Sequence, residues 1–109
     1  MGLTVIEKIF KNHTQDEVAP GSVIWLDIDA RTARDFGGPN VVRKLTEFYG
    51  DDVDVADPGR TFFTFDCVVP ANNIPYANNQ HICRLFSRKR GIKVYDVDAG
   101  IGSHVAIEE

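Results

Sequence analysis

Residues 61–73 read TFFTFDCVVPANN, and the fold follows from how this stretch is interpreted. Its first five residues are β-branched or aromatic, which is typical of a short buried strand. The strand is expected to end at Asp66 and Cys67, because Pro70 soon afterwards cannot donate a hydrogen bond to a sheet. Two asparagines and a second proline then supply the capping groups that begin a helix. The stretch therefore predicts a strand, a turn and a helix.

Asp66 and Cys67 are the chemically distinctive residues of this unit. A strand that ends in an acid and a thiol places both side chains at its carboxyl end, where ligands bind in open α/β sheets. The alternative is structural: Asp66 caps a turn, and Cys67 is a small buried apolar side chain. The local pattern leaves both interpretations open.

Strands and helices are predicted to alternate along the rest of the chain. Thr4 and Glu7 form a capping box at the first helix, and Gly50 and Gly91 end two later helices. Residues 30–36 remain unassigned, and residues 103–107 begin a further element. Such alternation implies parallel strands, so we predict a three-layer α/β/α architecture with a mainly parallel sheet. The predicted helices are 4–12, 40–49 and 74–90, and the predicted strands are 23–28, 61–65 and 92–97.

Each predicted strand closes on acidic residues. These are Asp27 and Asp29, then Asp66, then Asp98. In a parallel sheet the carboxylates would gather at one edge and could hold a divalent metal or a polar substrate. Acids at strand ends are also common as solvated turn formers, and this alternative stays open.

Composition limits the classes of function. The 109 residues form a single α/β domain or a fragment of one, and the net charge of −4 argues against nucleic acid. No stretch approaches the roughly 20 apolar residues of a membrane span. Two cysteines make neither a disulfide framework nor a four-ligand metal site, which fits a reducing cytoplasm. Three strands are few for a sheet, so we expect a portion of a larger protein.

Six segments, in order, resemble the N-terminal part of the large subunit of aconitase-type hydro-lyases, the 3-isopropylmalate dehydratase and homoaconitase family. The similarity runs over nearly all of the chain. The helix at 74–90 carries the family's pattern at Gln80, Ile82, Arg84 and Phe86. The other five are TVIEKIF (4–10), VAPGSVIWLDID (18–29), DFGGP (35–39), FTFDCVVPANN (63–73) and AGIGSHVAIEE (99–109).

The resemblance implies an enzyme with a [4Fe–4S] cluster that moves a hydroxyl group between adjacent carbons of a di- or tricarboxylic acid. It also implies two protein partners, the remainder of the large subunit and a small subunit, and a small hydroxy-carboxylic acid as substrate. Three cysteines hold the cluster in the family, and neither Cys67 nor Cys83 matches them. We therefore expect this chain alone to bind no cluster and to be inactive.

The candidate site departs from the family pattern. Asp66 keeps the acid of the family's Asp-His pair, but Cys67 replaces the histidine, and a thiol is a poorer acid–base group near neutral pH. Ser103 stands at a second histidine position, and His104 stands where the family has glutamine. The resemblance implies catalytic roles for Asp66 and Cys67 and substrate contacts for Ser103 and His104. The alternative is a non-catalytic, stand-alone α/β module that binds a partner or a small acid through the same edge.

Overall fold

The chain folds around a parallel sheet whose strands are joined by helices. The structure, a computed structural model, describes residues 2–108. A short 3₁₀ turn at Pro58–Arg60 precedes the second strand. The helices are α1 (Val5–Lys11), α2 (Gly38–Tyr49), α3 (Ile74–Arg90) and α4 (Gly102–Glu108), and the strands are β1 (Arg31–Arg34), β2 (Thr61–Thr64) and β3 (Lys93–Tyr95).

The sheet has the order β1-β2-β3, and both strand pairs are parallel. The register aligns Ala33 with Phe63 and Phe63 with Val94, so these side chains share one face. On that face Phe63 joins Val42 of α2 and Cys83 of α3 in the hydrophobic core. The predicted α/β class and the parallel sheet are confirmed.

The second face of the sheet carries Thr64, which is buried although it neighbours Phe63. A Cβ atom added to Gly102 would lie 2.5 Å from the Thr64 hydroxyl oxygen. The start of α4 therefore packs closely against β2 on the face opposite α2 and α3. Only glycine allows this approach, because any side chain at position 102 would overlap Thr64.

The predicted strand at 23–28 is wrong. These residues lie outside any helix or strand, and the first strand is β1, inside the segment that the sequence left unassigned. Pairing explains the difference: Arg31–Arg34 aligns residue by residue with Thr61–Thr64, whereas residues 23–28 have no neighbouring strand within residues 2–108. A segment with strand propensity forms a strand only where a neighbouring strand can pair with it.

The predicted local signals are otherwise confirmed. Thr4 and Glu7 form the capping box of α1. The side chain of Asn73 accepts a hydrogen bond from the Tyr76 backbone at 2.8 Å and so begins α3, which Gly91 ends with a φ of 70°. No helix within residues 2–108 has the length and apolarity needed to cross a membrane.

Candidate functional site

An acidic residue follows each strand at the carboxyl edge of the sheet. Asp35 comes directly after β1, Asp66 comes two residues after β2, and Asp96 comes directly after β3. Asp96 forms a bidentate ion pair with Arg84 of α3, with both N–O distances at 2.7 Å. Asp35 and Asp66 therefore remain as the acids at the centre of this edge.

The acids predicted from the wrong first strand are not at this edge. Asp27 and Asp29 are exposed residues that precede β1. Asp29 instead accepts a hydrogen bond from the His13 ring at 2.6 Å. Asp98 is also exposed and lies beyond Asp96, the acid that closes β3. Of the four carboxylates that the sequence predicted at one edge, only Asp66 lies there, together with Asp35 and Asp96.

Asp35 is fully buried, with 0% of its surface exposed. One carboxylate oxygen accepts a hydrogen bond from the backbone of Cys67 at 3.1 Å, and the other accepts one from the Gln80 side chain at 3.0 Å. Gln80 also donates to the carbonyl of Val68 at 3.2 Å. Burial raises the pKa of Asp35, but the hydrogen bonds from Cys67 and Gln80 outweigh it and leave the pKa below its usual value. Asp35 is thus a buried carboxylate that ties β1 to the turn after β2.

The hydrogen bond from the Cys67 backbone to Asp35 ends the regular strand geometry after Phe65. The backbone of Phe65 still donates to Tyr95 in β3 at 2.9 Å. Beyond it, the backbone of Cys67 donates to Asp35 instead of to a strand. In a regular strand Asp66 and Cys67 would point to opposite faces. Here one carboxylate oxygen of Asp35, one of Asp66 and the Cys67 sulfur all lie within 4.8 Å of one another. The side chains of Asp66 and Cys67 therefore face the same site.

Asp66 is held from two sides. One oxygen accepts a hydrogen bond from Arg34 Nε at 2.9 Å, and the other accepts one from the backbone of Gly102 at 2.8 Å. The Asp66 side chain is only 8% exposed, whereas the Arg34 side chain is 60% exposed. The pair therefore presents a guanidinium group to solvent above a nearly buried carboxylate.

Arg34 and Asp35 were not among the site residues predicted from sequence. The register pairs Arg34 with Thr64, two residues before Asp66. A strand assignment at residues 31–34 would have placed Arg34 and Asp35 at the carboxyl edge. That assignment was missed because the segment has an arginine at each end and no apolar run.

Ser103 and His104 lie in the first turn of α4, directly after the glycine that contacts Asp66. Both residues are exposed. Within residues 2–108, neither side chain forms a hydrogen bond with Asp66 or Cys67. The structure therefore brings Asp66 and Cys67 together and places Ser103 and His104 on the adjoining surface, while the roles of all four stay predictions.

The thiol of Cys67 is half-buried, and it lies 3.9 Å from a carboxylate oxygen of Asp66. Burial raises the pKa of Cys67, and the hydrogen bond to Asp35 and the charge of Asp35 raise it further. Burial likewise raises the pKa of Tyr76, whose buried hydroxyl oxygen has no hydrogen-bond partner. Both groups are therefore protonated near neutral pH and are poor proton acceptors there.

A divalent cation is not needed to explain this cluster. Both oxygens of Asp35 and both oxygens of Asp66 already accept hydrogen bonds. Arg34 also pairs its positive charge with Asp66. An apolar cavity of about 330 Å³ lies near the opposite ends of the strands, where Arg31 and Thr61 begin β1 and β2, and does not include the acids.

Comparison with known proteins adds a whole-chain similarity. No protein-family model matches the chain. The 3-isopropylmalate dehydratase large subunit 1 of Archaeoglobus fulgidus is 32% identical over 108 residues, which are 99% of this chain and 26% of the relative. The large subunit of Methanoregula boonei is 33% identical over 109 residues, which are 100% of this chain and 26% of the relative. That of Aquifex aeolicus is 40% identical over 94 residues, which are 85% of this chain and 21% of the relative.

The resemblance to the large subunits of aconitase-type hydro-lyases is thereby confirmed, and the chain is a relative of the 3-isopropylmalate dehydratase large subunit. It spans about a quarter of the length of these relatives. The similarity extends from the first helix through the carboxyl edge of the sheet. The candidate site and the segment before β1 both lie inside the matched region.

Proposed function

We propose that this chain is the N-terminal portion of a hydro-lyase large subunit that removes water from a hydroxy di- or tricarboxylic acid and adds it back, and that it is inactive alone. One observation carries the proposal. In a chain that matches such subunits over its whole length, the Asp66–Cys67 pair lies at the carboxyl edge of a parallel sheet beside an exposed arginine. The proposed partners are the remainder of the large subunit and a small subunit, and the proposed location is the cytoplasm.

The residues of the edge suit an acidic substrate. Arg34 uses Nε to bind Asp66, so its exposed guanidinium face can donate further hydrogen bonds to a substrate carboxylate. Dehydration also requires one proton for the leaving hydroxyl and the removal of another from the neighbouring carbon. Asp66 is the carboxylate placed to exchange a proton or to orient the hydroxyl group. Ser103 and His104 are exposed beside it for further substrate contacts.

The chain's own thiols do not fit an iron–sulfur cluster. The sequence holds two cysteines, whereas the resemblance implies three ligands. Cys83 is 0% exposed within the hydrophobic core, and burial raises its pKa to about 12. A buried, protonated thiol is a poor metal ligand. A cluster in the complete enzyme would be bound by residues outside this chain.

A second candidate is a non-catalytic module that binds a small acid through Arg34. The observation that favours it is Cys67, which stands where the family has histidine and whose raised pKa suits neither a base nor an efficient acid at neutral pH. Carboxylate binding by Arg34 does not depend on that residue. Hydro-lyase activity therefore separates the two candidates.

The test is a chimera in which this chain replaces the matching quarter of the Methanoregula boonei large subunit. It is assembled with its cluster and small subunit under anaerobic conditions and assayed with 3-isopropylmalate, the acid named for the relatives. We expect Asp66→Asn to lower the turnover number about 100-fold or more, as is typical for loss of an acid–base group. Asp98→Asn is the matched control because Asp98 is exposed and lies outside the cluster. Cys67→His should retain or raise the activity.

The outcomes separate the proposals. An active chimera whose turnover depends on Asp66 supports the hydro-lyase. A folded chimera that stays inert even with Cys67→His would reject it and leave the binding module. Normal activity of the Asp66→Asn chimera would remove the assigned site.

A further inference from the structure

The residues before β1 form a separate surface, here called the N-terminal arm (residues 2–29). It consists of α1, a polar loop and residues 22–28, in which exposed and half-buried side chains alternate from 23 to 27 as in an extended chain. The side chains of the arm are unusually exposed for their apolarity: Val23 is 99% exposed and Trp25 is 89% exposed. The other exposed large apolar residues of the arm are Val5, Ile6, Ile9, Phe10 and Ile28.

The extended residues have one occupied backbone edge and one open edge. Trp25 donates its backbone N–H to the Asp16 side chain at 2.9 Å, and Asp27 donates its own to the carbonyl of His13 at 2.8 Å. Alternate residues point their N–H groups to opposite sides of an extended chain. The backbone groups of Ile24 and Leu26 therefore lie on the other edge, and within residues 2–108 they have no strand partner.

The His13 side chain links the end of α1 to the end of the arm. The His13 ring contacts the carbonyl of Ile9 at the end of α1, at 2.8 Å, and a carboxylate oxygen of Asp29, at 2.6 Å. These contacts fix the short helix against the end of the extended segment. A helix of this length is not stable on its own and normally depends on tertiary packing. Within residues 2–108, α1 buries none of its side chains.

The chain as a whole is less compact than a typical domain of its length. The radius of gyration is 16.6 Å, against about 13 Å for a compact domain of this length. The accessible surface is 8063 Å², against roughly 6,100 Å² for a folded monomer of this mass. The chain thus exposes about 2,000 Å² more surface than a compact monomer of its mass, and the apolar side chains of the arm contribute to this excess.

We propose that the N-terminal arm is the docking surface for the remainder of the large subunit, and that residues 22–28 join a sheet of that remainder as an added strand. This rests on the proposed function. The relatives are about four times as long as this chain, and their similarity to it includes the arm. Addition of a strand would use the open edge of Ile24 and Leu26 and cover Val23 and Trp25 together.

Trp25 is the chain's only tryptophan and serves as the reporter. The probe is the Methanoregula boonei large subunit without its matching quarter, with any tryptophans replaced by phenylalanine. We expect the probe to form a complex in sedimentation, to shift Trp25 emission to the blue and to protect it from acrylamide quenching. Val23→Ser should weaken the complex at least tenfold, whereas Phe48→Ser, which changes another exposed apolar side chain on α2, should not.

Three results would contradict this proposal. A complex in which Trp25 stays exposed and Val23→Ser is neutral would overturn it while leaving the proposed function intact. A blue shift that grows with the concentration of this chain alone would assign the arm to a second copy instead. If the two pieces do not associate, the covalent chimera carries the same reporter, and Trp25 quenched there as freely as in the isolated chain would also overturn the proposal. Turnover of the chimera tests the proposed function separately.

Discussion

Replacement of the buried carboxylate Asp35 by asparagine tests how the candidate site is built. Asp35 accepts one hydrogen bond from the backbone of Cys67 and one from Gln80. Asparagine has one acceptor oxygen, which can keep the bond to Cys67, but its NH₂ group would then face the NH₂ group of Gln80. Rotation of the Gln80 amide would relieve this clash only by giving up its bond to Val68.

The expected cost follows from these bonds. A hydrogen bond to a charged group contributes about 1.5–3 kcal/mol, and a neutral one contributes roughly 1 kcal/mol. Asp35→Asn loses one charge-assisted bond and turns the other into a neutral bond. We expect the free energy of unfolding to fall by about 2–5 kcal/mol. Asp98→Asn removes a carboxylate that is exposed and should change it by less than about 0.5 kcal/mol.

The effect should depend on pH with a defined sign. The pKa of Asp35 is lower in the folded chain than its usual value, because the hydrogen bonds outweigh burial. Such a group adds stability above its unfolded pKa, about 3.9 for aspartate, and the stability is lost as the pH falls through the folded value. The stability gap between the original chain and Asp35→Asn should be constant from neutral pH down to about pH 5 and then close in stronger acid.

Urea unfolding followed by far-ultraviolet circular dichroism measures this gap. Trp25 fluorescence is unsuitable because that side chain lies in the exposed arm. An Asp35→Asn chain as stable as the Asp98→Asn control at pH 7 would show that the carboxylate does not hold the turn. A gap that widens in acid would show that the sign of the pKa shift is wrong.

Two further predictions concern the neighbours of Asp66. Gly102→Ala should lower the free energy of unfolding by about 1–3 kcal/mol, because the new Cβ would lie 2.5 Å from the Thr64 hydroxyl oxygen. Gly59→Ala is the control, because its new Cβ would meet nothing within 4 Å. Equal urea midpoints of the two variants would contradict the prediction. Alkylation of Cys67 by iodoacetamide should reach half its maximal rate at a higher pH than a free thiol, since burial and Asp35 raise its pKa. A midpoint at or below about pH 8.5 would refute that assignment.

The helices were predictable because their signals are local. Asn73 and Gly91 bound α3 at the predicted residues, since capping depends on neighbours within one turn. The strand at 61–65 was equally clear, because its apolar residues are buried on the sheet face that carries the core. These elements depend on short-range chemistry that a single sequence displays.

The first strand was mispredicted because strand formation depends on long-range pairing. Residues 23–28 have the stronger propensity, yet residues 31–34 form β1 because they lie beside β2. Because of this error, the prediction placed Asp27 and Asp29 at the carboxyl edge of the sheet instead of Asp35, and it did not identify Arg34. If residues 22–28 dock on the remainder of the subunit, their strand pattern was read correctly, and only the partner is missing from this chain.

The family resemblance implies a histidine at position 67, and the cysteine found there changes which proton transfers this edge of the sheet could perform. An imidazole can accept and donate protons near neutral pH, but a thiol with a raised pKa remains protonated there. The fixed negative charge of Asp35 maintains that state, because it opposes formation of a thiolate next to it. In the proposed hydro-lyase, acid–base work at this edge would fall to Asp66, whose oxygens already accept hydrogen bonds from Arg34 and the Gly102 backbone. In the same proposal, binding of a substrate carboxylate by Arg34 would compete for the guanidinium and partly release Asp66, so this one ion pair would couple substrate binding to proton transfer.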